Sequence, residues 1–283
     1  MSESHVVYFT FEGRDFMKPA LSKYGWVPDL PDHRDHTYAA PLRIVAKLPA
    51  KVDLRKQCPP VYNQGRIGSC TANAIGAAMQ FVRKREKKRP NFVPSRLFIY
   101  WNERKTEHTV PLDNGAQIRD GIKVVAKLGV CAETLWPYDD TPADPNTSMW
   151  PQGAKPTIKP SKDCFSAAEK NQAISYQRIA QSLPQMKGCL ASGYPFIIGF
   201  SVYESFEGPQ VEKTGELNMP EAGEGQIGGH AVLVVGYDEA AQRFLVRNSW
   251  GKDWGMSGYF TMPYAYLLDA NLSDDFWTIR LTE

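Results

Sequence analysis

The chain has 283 residues, a formal net charge of +2, 42% hydrophobic and 23% charged side chains, the proportions of an ordinary globular protein rather than of a collagenous, disordered or coiled-coil one. So small a net charge gives no support to a nucleic-acid or anionic-membrane partner, and no apolar run approaches the roughly 18 to 20 residues of a membrane helix. The length admits one large domain or two small ones around a shared site.

Residues 1–47 read as a leader. The opening MSESHVVYFTFEGRDF has no cationic head before an apolar stretch, so it does not read as a secretory signal, and a cytoplasmic location is expected, with signal-independent export left open. Pro19, Pro28, Pro31 and Pro41 and the polar patch Asp29 to His36 predict an extended arm with little regular structure. Its aromatics, Tyr8, Phe9, Phe11, Phe16, Tyr24 and Trp26, predict that the arm docks on the rest of the chain.

From Cys70 the pattern becomes helical, with Ile75, Ala78, Met79 and Val82 on one stripe, the basic run Arg83 to Arg89 at the C-terminal end and Pro90 as the stop. That basic run reads as the solvated end of a helix rather than as a phosphate-binding patch. A second helix is predicted over 94–105 and a third over 117–128, closed by Gly129. The stretch 139–160, rich in Pro, Asp, Thr and Ser, reads as a surface loop, and 172–191 reads as a helix broken at Pro184. The period then shortens, and 196–203, 231–237, 244–248 and 258–262 read as strands. Helices first and strands later predict an α+β fold.

The five cysteines, Cys58, Cys70, Cys131, Cys164 and Cys189, are odd in number and irregular in spacing, and no CxxC pair occurs. That pattern fits neither a disulfide framework nor a structural zinc site. A single free thiol is usually a small buried hydrophobe. Cys70 differs because a helix N-terminus favours its thiolate, the form that attacks a carbonyl. Such a thiol needs a base, a group to orient the base and donors for the oxyanion. His5, His33 and His36 lie in the leader and His108 in a polar loop, which leaves His230, at the start of the apolar strand GGHAVLVVGY. A histidine there is more often a satisfied core residue than a catalyst. Asn248, in RNSWGKDWG, can orient an imidazole without adding a third charge, with Trp250 covering the contact; taken alone, the same residues read as a plain turn. Gln64, in YNQGRIGSC, can fold back toward the thiol across Gly65 and Gly68, or be an ordinary loop residue.

QGRIGSC, then GGHAV, then RNSWGKDWGMSGY, together with VDLR at 52–55, resemble the papain family of cysteine peptidases, over about residues 50 to 262. The resemblance implies a two-lobed papain-like fold, a helical left lobe and a β-barrel-like right lobe with the cleft between them. It implies a cysteine endopeptidase working through a Cys-His-Asn acyl-thioester mechanism, with Cys70 as nucleophile, His230 as base and acid, Asn248 as orienting residue and Gln64 as oxyanion donor. Gly115 and Ala116, in NGA, resemble the backbone that pairs with an extended substrate, Gly229 lines an open pocket beside them, and Trp250 resembles the lid over the His–Asn contact. The floor of the second substrate pocket is expected from 197–201 and the region after Met262. The family implies no metal or organic cofactor and a peptide or protein substrate; the chain is expected to act as a monomer.

Several features depart from the family pattern. His230 follows Cys70 by 230 − 70 = 160 residues, beyond the usual spacing of roughly 130 to 150, which places insertions in the 139–162 loop. Thr71 stands where a tryptophan is usual, and Ile67 where a cysteine is. The leader is short, and YGWVPDLPDHRD resembles a bacterial branch of the family that includes xylellain. The leader is expected to lie across the cleft and restrain activity. The expected organisation is therefore residues 1–47 as leader and 48–283 as peptidase domain, with a helical lobe over roughly 58–165 and a β lobe over roughly 166–283. A catalytically silent binding relative, or another thiol acyltransferase, is the alternative; silent relatives often lose one of the four site residues, and transglutaminase-like enzymes typically orient the base with Asp rather than Asn.

Overall fold

A computed structural model describes residues 24–282; Tyr8, Phe9, Phe11 and Phe16 lie outside them. The leader contributes β1 (Trp26–Val27), β2 (Thr37–Tyr38) and the turn of helix α1 (Leu42–Val45), before β3 (Lys51–Asp53). Helices α2 (Cys70–Arg85) and α3 (Arg96–Thr106), the short strand β4 (Ala116–Gln117), α4 (Ile118–Lys127) and α5 (Lys162–Ala168) follow. The remainder is mostly strand: β5 (Ala173–Ile179), α6 (Leu183–Ala191), β6 (Phe196–Tyr203), α7 (Pro209–Thr214), β7 (Gln226–Asp238), β8 (Arg243–Arg247), β9 (Tyr259–Pro263), α8 (Tyr264–Leu268) and β10 (Ser273–Thr282).

Helix α2 is buried from Cys70 to Arg83 and lies between the halves, packed on α3 and α4 on one side and on β7 and β10 on the other. A run of small residues, Ala72, Ala74, Gly76, Ala77 and Ala78, lets a helix be enclosed on all sides. The neighbouring helices start and stop where local chemistry dictates. Ser95 caps α3 by accepting the Phe98 N–H at 3.2 Å. Beyond α4, Gly129 takes φ +72°, and a Cβ there would lie 1.8 Å from the Ala168 carbonyl oxygen, so glycine is required on both counts.

The sheet runs β2-β5-β10-β6-β7-β8-β9, with β3 also paired to β7. Among the described residues it is an open sheet ending on β2 and β9, and not the closed barrel that a barrel-like lobe suggests. β2, from the leader, pairs in parallel with β5 and covers an otherwise free edge. The segment 172–191 is not one broken helix. Residues 173–179 form β5 against β10, and Pro184 sits in the first turn of α6, where a missing N–H costs nothing. Strand β10 was not anticipated from sequence; it pairs with both β5 and β6 and carries a register shift between Asp274 and Trp277.

Candidate active site

Cys70 is the first residue of α2. Its thiol accepts backbone N–H bonds from Ala231, Gly25 and Thr71, but burial outweighs them and pushes the thiol up to about 12. The Ala231 contact places the residue after His230 against the sulfur. Thr71, in the position of the expected tryptophan, donates to Glu103 at 3.0 Å, a buried carboxyl that desolvation keeps well above the ordinary range.

His230 lies on β7, opposite Phe200 of β6, and Asn248 directly follows β8, the next strand. The two side chains meet at 2.8 Å, His230 Nε2 to Asn248 Oδ1. The same Oδ1 accepts the Ser249 backbone N–H at 2.8 Å, which fixes it as the oxygen. Nε2 is therefore the protonated nitrogen, and the lone pair of the neutral ring is on Nδ1. Among the described residues Nδ1 has no hydrogen-bond partner. Trp250 lies over the imidazole with ring centroids 5.2 Å apart and planes 33° apart, and Phe200, Phe206 and Tyr24 complete an aromatic wall. That dry setting lowers the His230 pKa to about 4. A histidine depressed from 6.5 adds stability that is complete above 6.5 and is lost as pH falls through about 4. The expected result is that the His230 ring resonances of the native chain titrate near pH 4; titration near 6.5 would contradict the burial.

Gln64 is buried and held from both ends. Its Nε2 donates to the Ile67 carbonyl at 3.0 Å, and its Oε1 accepts from Ser249 Oγ at 2.6 Å. The phenol of Tyr138 donates to the Gln64 carbonyl at 2.9 Å. Asp113 accepts the Gly68 N–H at 3.0 Å, fixing the turn that leads into Cys70. Ser249, inside RNSWGKDWG, and Asp113, just before NGA, were not singled out in the sequence because each acts only on a neighbour's orientation.

The cleft beside Cys70 is filled by the chain's own residues 24–27. β1 pairs in parallel with β4, and Ala116 N–H donates to the Gly25 carbonyl at 2.8 Å. A Cβ on Gly115, where φ is +74°, would lie 2.0 Å from that carbonyl oxygen. Trp26 lies against Gly199 and Gly229, where an added Cβ would come within 2.0 and 2.9 Å of the indole. Tyr24 covers His230 and Trp250 and donates to Glu207 at 2.5 Å. So Gly115, Ala116, Gly229 and Trp250, each predicted to touch substrate, all touch this segment. Beyond it, Asp29 accepts from Arg119 N at 3.0 Å and Trp277 Nε1 at 2.9 Å, and Arg119 pairs with Asp35 at 2.7 Å.

A model of the papain family of cysteine proteases matches residues 48–267. An uncharacterized peptidase C1-like protein of Acanthamoeba polyphaga mimivirus is 40% identical, over 91% of this chain and 86% of its own length. Among solved structures, xylellain, a cysteine protease from Xylella fastidiosa, is 51% identical with a TM-score of 0.88, over 93% of this chain and 97% of its own. Procathepsin B from Trypanosoma congolense shares the fold at a TM-score of 0.64 and 17% identity, over 81% and 77% of the two chains. With a family model matched over residues 48–267 and a relative 40% identical over 91% of the chain, the chain belongs to the papain family of cysteine proteases, a hydrolase with a bacterial relative in xylellain.

Proposed function

We propose that this peptidase cleaves internal peptide bonds through an acyl-thioester formed on Cys70, with residues 48–283 as the peptidase domain and the leader, residues 1–47, restraining it. The observation that carries the reading is the His230–Asn248 hydrogen bond, which leaves the Nδ1 lone pair for the Cys70 proton. In the reaction, Nδ1 takes that proton and the sulfur attacks the substrate carbonyl. The oxyanion is held by the Cys70 backbone N–H and the Gln64 amide. Collapse expels the amine, which takes the proton back from His230, and water, activated by the same imidazole, releases the acid. Asn248 keeps the ring in the productive tautomer and Trp250 shields their contact from water.

The restraint is supported by the same residues. Gly25 lies against the thiol, Trp26 fills the adjoining pocket, and both a buried thiol near 12 and an imidazole near 4 stay neutral at pH 7. Neutral partners make a poor nucleophile; hydration on leader departure favours the ion pair.

In the Trp26→Ala chain, an epoxysuccinyl thiol probe is expected to add one equivalent, and in Trp26→Ala/Cys70→Ala none. Equal labelling of the two would remove Cys70 as nucleophile. Gln64→Ala is expected to lower kcat by about 10²- to 10³-fold with a smaller change in KM, the usual cost of one oxyanion donor. Steady-state hydrolysis of a fluorogenic peptide checks this, and an unchanged kcat would exclude the role.

A further inference from the structure

The Gln64 amide and the Cys70 backbone N–H, the two groups assigned to the oxyanion, stand at opposite ends of the turn 64–70. The turn is conformationally loose in itself, since it contains Gly65, at φ +60°, and Gly68. One side chain from outside joins its two ends. The Tyr138 hydroxyl donates to the Gln64 carbonyl at 2.9 Å and meets Ser69 Oγ at 2.5 Å. A phenol has one proton and the Gln64 carbonyl takes it, so at the second contact Ser69 is the donor. Ser69 Oγ in turn accepts from Asn73 Nδ2 at 3.0 Å, and Asn73 Oδ1 accepts from Arg96 Nη1 at 3.2 Å. The donors run one way, from Arg96 to the Gln64 carbonyl, an order in which buried hydrogen bonds strengthen one another. Tyr138 is anchored from the side of α3. The Arg96 guanidinium lies 3.9 Å from its ring centroid and is itself paired with Glu133. The Trp136 carbonyl, just ahead of Pro137, accepts from Ser95 Oγ at 2.7 Å. Burial keeps the phenol protonated well beyond its ordinary range.

We propose that Tyr138 is a positioning residue for the hydrolysis, whose hydroxyl, by bridging Gln64 and Ser69, sets the spacing at which the Gln64 amide and the Cys70 N–H reach one oxyanion. The inference rests on the reading of those two groups as the oxyanion donors. Such donors act by being in place before charge develops, and a supporting contact matters because a misplacement of about 0.5 Å already weakens them. Tyr138 touches no reacting atom. It acts on the backbone of the residue that carries one donor and on the residue before the other, which the two glycines of the turn leave free to drift. The thiol and the imidazole lie outside this bridge, so the chemistry of the sulfur alone does not depend on it.

Tyr138→Phe in the full chain tests this, since it keeps the ring on Arg96 and removes only the bridge. Two rates are compared: hydrolysis of a fluorogenic peptide, which passes through an oxyanion, and alkylation of Cys70 by iodoacetamide, which displaces iodide and forms none. The variant is expected to lose about ten-fold in kcat, with KM and the alkylation rate each within about two-fold of native. A merely structural role would slow both reactions together. The same substitution made in a Gln64→Ala chain is expected to cost at most about three-fold, because residues that act as a unit are not additive. A native kcat in Tyr138→Phe, an alkylation rate that falls as far as kcat, or the full ten-fold cost persisting in Gln64→Ala would overturn the proposal. A native kcat in Gln64→Ala would instead remove the oxyanion reading, and the proposal with it; an impaired Gln64→Ala beside an unimpaired Tyr138→Phe removes the proposal alone. If Tyr138→Phe fails to fold, Ser69→Ala breaks the other end of the bridge. Ser69 makes no side-chain cap to α2, so its loss does not cost the helix a cap. Ser69→Ala is expected to lower kcat at least about three-fold at an unchanged alkylation rate, and an unchanged kcat there would overturn the proposal as well.

Discussion

Replacing Cys70 by alanine is expected to lower kcat for peptide hydrolysis by on the order of 10⁶-fold, the scale on which loss of a nucleophile in a concerted acyl-transfer group is measured. The effect should be that large because no other group can take over. The remaining thiols, Cys58, Cys131, Cys164 and Cys189, are buried, and none stands at the start of α2 against Ala231, the residue after His230. Residual turnover would come only from the oxyanion donors and substrate binding, which persist without the sulfur. Cys70→Ser is expected to fall nearly as far. A hydroxyl is a far weaker acid than a thiol, and Asn248 offers His230 no negative charge to help it abstract that proton. Kinetics on a fluorogenic peptide at protein concentrations set by absorbance, with far-ultraviolet circular dichroism to confirm folding, measure both. A Cys70→Ala chain retaining a tenth of native kcat would exclude the mechanism.

Cys70, His230 and Asn248 stood out as candidates in the sequence because each is set in a distinctive local string; the structure places Cys70 at the start of α2 and brings His230 and Asn248 to 2.8 Å. Helix α2 was legible from its period and from Pro90. Other parts were hidden for identifiable reasons. The stretch 173–179 mixes Ile174, Tyr176 and Ile179 with polar residues and satisfies a helical stripe as well as a strand; its pairing with β10, about a hundred residues away, decides the matter, and local pattern carries no such information. Ser249 acts through a hydrogen bond to a residue 185 positions distant. Asp275, within SDDFW, carries no motif, and its buried position goes with a register shift in β10 and a φ of +59° that local pattern does not announce. The leader was half legible. Its aromatics announced that it packs on something, but the pairing of Gly25 with Ala116 depends on the bareness of Gly115, which is a property of the partner surface.

Trp26→Ala is expected to raise peptidase activity of the native-length chain about 30-fold or more, up to the ceiling set by the fully uncovered enzyme. Under the proposed restraint, the tethered leader competes with substrate at a high effective concentration, and its hold depends on a few anchors. Trp26 is the largest of these, filling the pocket against Gly199 and Gly229 and donating to Asp275. Truncating an aromatic anchor of this type costs an interface about 2 to 4 kcal/mol, which at 1.4 kcal/mol per ten-fold shifts the covering equilibrium by roughly 30- to 700-fold. Trp26→Phe keeps the ring and loses the donor, and should fall between native and alanine. Trp26→Ala should also move His230 ring titration upward from about 4, since water replaces Tyr24 beside the imidazole, and should speed alkylation of Cys70, against which Gly25 lies, at pH 7. Three independent readouts, rate, titration and alkylation, then report one displacement. A folded Trp26→Ala chain with native activity and native alkylation rate would show that the leader does not restrain the enzyme. A rise in activity without faster alkylation would place the effect on substrate binding alone, since a leader lifted off the thiol must expose both.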